Sequence, residues 1–538
     1  MAQRNEYDAI VVGSGAAGGW AAKELTERGL RTILLEAGRS LDLIKDFTPP
    51  PGDSPSKINL VNRVKAVLSG QHVQARCMSF SPLTQHLFVS DRENPYTAAR
   101  GKRFNWYRSR QVGGRLHLWG RNALRISDHE FKAAERDGFG ESWPISYSDL
   151  IPWYERVETF LGVHGSPAGI PSIPDGKYDR PHRLTKVEEK LLRDLKAKWP
   201  GRPATTCRIV KHNPQRVPLP ILAAEKTGLL TLRSNAVASH ITVDPNTGLA
   251  KGLIFVDRTT REEHEVLAKV VVLCASTIES IRIMLNSKSP QHPEGIGNAS
   301  GNLGHGITDH LLVFQAGPLS PLEEGAKSDP YDFGAQSGVY IPSFRNVGER
   351  REKDFIRGYS LLGSLGRIEP GWFFMAVGEM LPRYENFVDI DPGKRDAWGI
   401  PVARITCAHS DNDKAMVRDM SASLKELAHD CGLEVDHLER ENVISRTVYK
   451  VVSPLVYTEE GALVPGSAVH ETGGAPMGAD PKTSVLNKFN QCWDAKNVFV
   501  TDSASFTSAP FQNPGLTIMA LSARAGHFIA DGLQSRDL

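Results

Sequence analysis

The chain opens on a short, nearly unbroken apolar run, YDAIVVG at 7–13, and a second such run, RTILLE at 31–36, follows a segment with helical spacing, GWAAKELTERGL. Short apolar runs that end in glycine or an acid fit strands buried on both faces, as in a parallel sheet. Small residues fill the join: Gly13, Ser14, Gly15, Ala16, Ala17 and Gly18, with Gly29 closing the helix. The pattern predicts strand, tight turn, helix, strand. From 229 onward the period changes to two in LLTLRSNAVASHITVDPNTGLAKGLIFVD, with DPNTG as a hairpin turn. AKVVVLCASTIESIRIML then restores a strand, a turn at Ala275 and Ser276, and a helix. Near the end NVFVTD predicts a strand stopping at Asp502, and a helix begins near Pro514–Gly515, proline being favoured at a helix start. An amphipathic helix is expected within ESWPISYSDLIPWYERVETFLGV and a further helix at DNDKAMVRDMSASLKELAHDCG. Residues 41–100 and 165–220 are broken by proline and read as excursions.

The first forty residues carry chemistry as well as pattern. Gly13 permits a tight turn, Gly15 lets backbone approach a pyrophosphate, and Gly18 lets the helix pack on the sheet. Free amides at the helix start favour phosphate. Glu36 lies 18 residues beyond Gly18, where an acid accepts hydrogen bonds from an adenosine ribose and disfavours a 2′-phosphate. With both strands, the helix and the acid in place, this is a dinucleotide fingerprint rather than a bare GxGxxG. A nucleotide-binding unit interrupted by an antiparallel meander and rejoined by a strand favours FAD over a nicotinamide.

Totals narrow the class. The 538 residues allow ~3 domains or one large enzyme of interleaved lobes. The 64 basic and 62 acidic residues leave a net charge of +2, which argues against a nucleic-acid or polybasic membrane role. Six cysteines are scattered singly with no CxxC pair, so neither a bound metal nor an iron–sulfur cluster is expected. No apolar stretch reaches membrane-spanning length. The expectation is a soluble, cytoplasmic protein, with export on a signal-bearing partner left open.

One further segment asks for a role. SAVHETGGAPMG places His470 among small residues; it begins like HExxH, but Gly474 stands where the second zinc ligand would be. Asn513 follows 43 residues later, just before the C-terminal helix, whose positive end suits a reduced flavin anion.

Taken together, VVGSGAAGG, LLEAG, RQVGG, VVLCASTIES, GNLGHGITDH, GEMLPRYENFVDID, HETGGAPMG and NVFVTDSASFTSAPFQNPGLTIMAL resemble the glucose–methanol–choline (GMC) oxidoreductases over almost the full length. RQVGGRLHLWGR and WPISYSDLIPWYERVE are similar to its sugar-oxidising branch, the pyranose oxidases and glucoside 3-dehydrogenases. The resemblance implies an α/β fold: a Rossmann-like FAD-binding domain interleaved with an α+β substrate-binding domain. Segments 1–45, 100–150, 225–310 and 465–538 would bind FAD. Segments 46–99, 151–224 and 311–464 would form the substrate lobe and connecting excursions.

It also implies His470 as general base and Asn513 as its partner. Beside the fingerprint residues, Ala37, Arg110, Val112, Gly113, Gly114, Leu118, Trp119 and Gly120 would touch the cofactor. So would Val237, Ala275, Ser276, Asp502, Ser503, Pro514 and Thr517. Glu379, Arg383 and Gln512 are the candidates for substrate contact, against a plain reading of Glu379 and Arg383 as a core strand with a surface salt bridge. The chain departs from the family where Arg115 and Leu116 follow the glycine pair in place of small residues. Leu118, not histidine, precedes Trp119, and His117 is one position off, so non-covalent FAD is expected.

The reaction so implied is oxidation of a secondary alcohol, first of all a ring hydroxyl of a sugar or glycoside at carbon 3, with oxygen or a soluble acceptor taking the electrons. A non-sugar alcohol, a lyase on the same fold and a silent partner subunit are the rival readings. A homo-oligomer or a small partner subunit stays open.

Overall fold

A computed structural model describes residues 7–42, 44–48, 60–211, 213, 218–319, 337–347, 353–367, 371–435 and 454–538. The first expected unit is present as β1 (Tyr7–Val12), α1 (Ala16–Glu27) and β2 (Thr32–Leu35). Ala9 to Val11 and Leu34 are wholly shielded, which is why these strands read as continuous apolar runs. Gly18 has no Cβ for a packing reason: one built there would lie 1.7 Å from the Gly13 carbonyl oxygen.

Segments from residue 230 onward complete this sheet. β3 (Leu230–Arg233) pairs parallel with β2, and β6 (Glu263–Leu273) pairs parallel with β1. β11 (Val498–Val500) lies parallel on the far side of β6. The parallel order is therefore β3-β2-β1-β6-β11. The alternation from 229 predicts an antiparallel meander throughout, and here the structure differs. Leu230–Arg233 is an edge strand of the parallel sheet, whose single half-buried face produces the same period of two. The meander itself is β4 (Ala236–Val243), β5 (Ala250–Asp257) and the first half of β6. Its DPNTG turn closes with Asp244 N–H donating to the Leu249 carbonyl at 2.8 Å.

A second sheet is antiparallel. β7 (His310–Pro318), β10 (Gly371–Glu379), β9 (Tyr359–Leu365) and β8 (Val339–Ile341) lie in that order, and Thr205–Thr206 adds an edge. Helix α4 (Asp411–Asp430) covers one face, held by a capping box from Ser410 to Asp413 and packed through Met416 and Met420 against Gly378. The two other helices that matter below are α3 (Thr277–Asn286), directly after β6, and α5 (Gly515–Ser535), which packs across α1 and α2 (Tyr147–Leu161). Among the described residues no helix is long and apolar enough to cross a membrane.

Candidate active site

A cavity of about 350 Å³ runs from the β1–α1 turn to the second sheet. At one end Gly13 to Ala17, Glu36 and Ala37 line it, with Val237 and Arg110 opposite. The glycine turn has φ +95° at Gly13, where a Cβ would meet the Cys274 carbonyl oxygen at 2.4 Å. A Cβ on Gly15 would meet nothing within 4 Å, so this glycine faces open space. No side chain caps the start of α1. Its first amides are thus free to receive phosphate. Glu36 is buried, which pushes its carboxyl pKa up, and accepts from Ser14 N and Oγ at 3.0 and 2.5 Å and from Gly38 N at 2.8 Å. Gly113 N donates to the same Ser14 hydroxyl at 3.0 Å, so the second glycine pair braces the first turn. This cradle fits the diphosphate and ribose of FAD.

The middle is lined by Gly114, Leu118, Trp119 and Gly120 on one side and Ala275, Ser276, Asp502, Ser503 and Pro514 on the other. Asp502 is buried, which lifts its carboxyl to about 6, and it is anchored by Ser280 Oγ at 2.5 Å and Ala504 N at 3.0 Å. The lining also includes His470 and Asn513, together with Leu312, Met375 and Val377. Leu312 pairs directly with Val377 across β7 and β10. The Asn513 side-chain oxygen is buried with no hydrogen-bond partner among the described residues.

His470 is set by its neighbours. Its Nδ1 lies 2.9 Å from Nδ1 of His310, and His310 Nε2 lies 2.8 Å from the Pro510 carbonyl oxygen. A carbonyl only accepts, so His310 carries its proton on Nε2. Burial brings His310 down to about 4, so it is neutral and its Nδ1 is an acceptor. His470 must then donate from Nδ1, which leaves the lone pair on Nε2. Burial first, then the proximity of His310 and of the Arg115 cation, hold the His470 imidazole well below its usual value. It remains a neutral acceptor as pH falls through the ordinary histidine range. Asp309 fixes the backbone, accepting from Ala468 N at 2.9 Å and His470 N at 3.0 Å. Burial and the Glu471 charge push its carboxyl up to about 7.

Some expected contacts lie outside the cavity lining. Gly18 and Gly113 act by packing and bracing, as described. Val112 is turned away, donating to Arg39 O at 3.0 Å and accepting from His117 Nε2 at 2.8 Å. Thr517 Oγ1 pairs with Tyr154 OH at 2.9 Å. The three substrate candidates need correction. Glu379 is buried against Arg357 at 2.8 Å, and Arg357 also holds Asp137. The pair lies in the core and not on the surface as the plain reading had it. Arg383 reaches Glu385 at 3.4 Å, and Gln512 donates to Ser172 O at 3.4 Å, away from the lining. Several lining residues gave no signal that singled them out: Cys77, Met78, Trp106 and Tyr107, which come from or border the supposed excursion 41–100. His310 and Asp309 sit inside GNLGHGITDH, whose likeness to the family carried no stated role. The alternation of β7 and β10 could have found Leu312, Met375 and Val377.

Residues 382–522 match the GMC oxidoreductase family and residues 8–43 an FAD binding domain. The chain is 26% identical to a 2-methyl-1,2-propanediol dehydrogenase of Mycolicibacterium austroafricanum, covering 98% of this chain and 95% of that one. It is 24% identical to the fructose dehydrogenase large subunit of Gluconobacter japonicus, covering 98% of each. A C-glycoside 3-oxidase of Arthrobacter globiformis is also 24% identical, over 98% and 96%. Among solved structures the formate oxidase of Aspergillus oryzae superposes with a TM-score of 0.67 at 14% identity, covering 99% of both chains. These matches, over 382–522 and 8–43 and with relatives along nearly the whole chain, support the GMC oxidoreductase family for this chain. It is an FAD-dependent enzyme that oxidises alcohols.

Proposed function

We propose that the enzyme oxidises a secondary alcohol to a ketone, and that the substrate is a ring hydroxyl of a sugar or glycoside, with carbon 3 as the first position to test. The observation that supports this most is the His310–His470 contact, which leaves a lone pair on a neutral imidazole in the cavity that Asn513 also lines. His470 Nε2 takes the hydroxyl proton as the carbon–hydrogen bond breaks. Asn513 binds the reacting oxygen and turns the carbon toward the cofactor. Bound FAD supplies the hydride acceptor. The start of α5, at Pro514 and Gly515, adds the partial positive charge of a helix end to this region. The parallel-sheet segments would hold the cofactor and the second sheet the substrate.

The relatives named for fructose and for a C-glycoside at position 3 favour a sugar. The relative named for a propanediol, with the apolar roof of Leu312, Met375 and Val377, favours a small non-sugar alcohol as the second reading. His117 supports non-covalent attachment, because its Nε2 is engaged by the Val112 carbonyl and Leu118 stands beside Trp119.

Under anaerobic conditions the visible flavin band of the purified protein should bleach on adding one class from a panel of free sugars, glycosides, diols and simple alcohols. Acid precipitation should leave the yellow colour in solution. Admitting air then separates oxygen from a soluble acceptor by the rate at which colour returns. A band bleached by diols alone would replace the sugar reading with the second one.

His310 is open to a direct check. His310→Phe keeps the shape but removes the acceptor for His470 Nδ1–H. Anaerobic flavin reduction should slow about 5- to 10-fold, the worth of one net hydrogen bond of about 1 kcal/mol. FAD content should not change. An unaltered rate would mean that His310 does not set the tautomer.

A further inference from the structure

Arg115 lies in the 3₁₀ turn Gly114–Leu118 with its side chain 28% exposed. Its Nη1 donates to the Val469 carbonyl oxygen at 3.0 Å and to Glu471 Oε2 at 2.7 Å, and its Nη2 donates to Ser276 Oγ at 2.6 Å. These acceptors flank His470 on both sides and reach the turn before α3. Two of them belong to residues in unusual backbone conformations: Val469 has φ +64° and Ser276 φ +76°. A β-branched residue at positive φ persists only where its surroundings over-determine it. Asp309 grips the same peptide from the other side through the amides of Ala468 and His470. The histidine thus leaves a strained backbone clamped between a carboxylate and a guanidinium.

We propose that Arg115 is a positioning residue for the alcohol oxidation: its fork holds the Val469–Glu471 backbone so that His470 enters the cavity, and its charge sets the medium in which that imidazole works. This rests on the reading of His470 as the base. The groups around the imidazole are His310 and Asp309 at the start of β7, Arg115 on the 3₁₀ turn, Glu471 next to it in the chain, and Asp502 after β11. Among these Arg115 is the cation. Burial and His310 act on the imidazole in the same sense as Arg115, so removing the arginine takes away only its share of the depression.

Charge and geometry separate by substitution. Arg115→Lys keeps the cation but cannot span three acceptors. Arg115→Met alone would strand the Glu471 carboxylate in the interior, so it is combined with Glu471→Gln. Flavin reduction is followed anaerobically across pH in FAD-saturated wild type, R115K, R115M/E471Q and H470A, with FAD content and melting temperature measured alongside.

The double variant should reduce its flavin ~10²-fold more slowly at neutral pH, the scale of a misplaced catalytic group. Its acid limb should move to higher pH, because the Arg115 cation depresses the imidazole more than the Glu471 carboxylate removed with it raises it. R115K should keep the wild-type acid limb and regain only part of the rate. A double variant with the wild-type rate and limb overturns the proposal. So does one that loses FAD yet behaves as wild type once saturated, since Arg115 would then serve the cofactor alone. If the double variant does not fold, R115K decides: a slowed rate on an unmoved limb supports the proposal, and a wild-type rate overturns it. H470A separates the two levels. Wild-type reduction by H470A removes the base itself, whereas an inactive H470A beside a wild-type-like double variant removes only the role of Arg115.

Discussion

His470→Ala should leave FAD bound and slow its reduction by substrate ~10²–10⁴-fold, the usual worth of a positioned general base. The cofactor should stay because its cradle is built elsewhere, from the Gly13–Ala17 turn, Glu36 and the Gly113–Gly114 brace. The rate should fall because Asn513 has no basic nitrogen and cannot take the proton. The neutral state of His470, held below its ordinary range by burial, His310 and Arg115, also dictates the pH response. In wild type the rate should hold as pH falls through the usual histidine range and drop only once the imidazole is protonated. In the alanine variant that acid limb should vanish, since the group that titrates is gone. Anaerobic stopped-flow mixing at several pH values reads both effects. A variant that reduces its flavin as fast as wild type, with the same limb, would remove His470 as the base.

Much of this was legible in the chain because the signals are local. β1, α1 and β2 declare themselves through two apolar runs, three glycines and an acid within thirty residues, and the DPNTG hairpin does the same. The partners of His470 are not local. His310 lies 160 residues away and Arg115 355, and neither contact leaves a periodic trace. Glu379 shows the opposite failure. It has the strand parity of Val377, which does line the cavity, so its sequence position is that of a site residue. It stands at the strand end, where Arg357 captures it, and Arg357 comes from a segment that nothing in GWFFMAVGEMLPRYEN announces. The edge strand Leu230–Arg233 was masked for a related reason: one half-buried face gives a period of two in a parallel edge as well as in a meander.

The second large effect is expected at the glycine turn, where Gly18→Ala and Gly15→Ala should fail differently. A methyl on Gly18 would sit 1.7 Å from the Gly13 carbonyl oxygen, so α1 has to lift off the sheet. It cannot retreat freely, because α5 crosses it so closely that a Cβ on Gly526 would lie 2.8 Å from Glu24 Cβ. Gly18→Ala should therefore cost about 1–3 kcal/mol, as overpacking does, and lower the melting temperature by several degrees. The displaced turn should also carry the α1 amides out of register with the cofactor diphosphate, so the variant should purify largely without FAD. A methyl on Gly15 meets no protein atom within 4 Å and points into the cavity. The FAD-free form of Gly15→Ala should melt as the FAD-free wild type does, while its affinity for added FAD, read by quenching of flavin fluorescence, should fall at least ~10-fold through steric conflict with the diphosphate. Normal FAD affinity in Gly15→Ala would show that the diphosphate does not pass over this glycine. A normally folded, flavin-loaded Gly18→Ala would show that the turn yields more easily than its contacts allow.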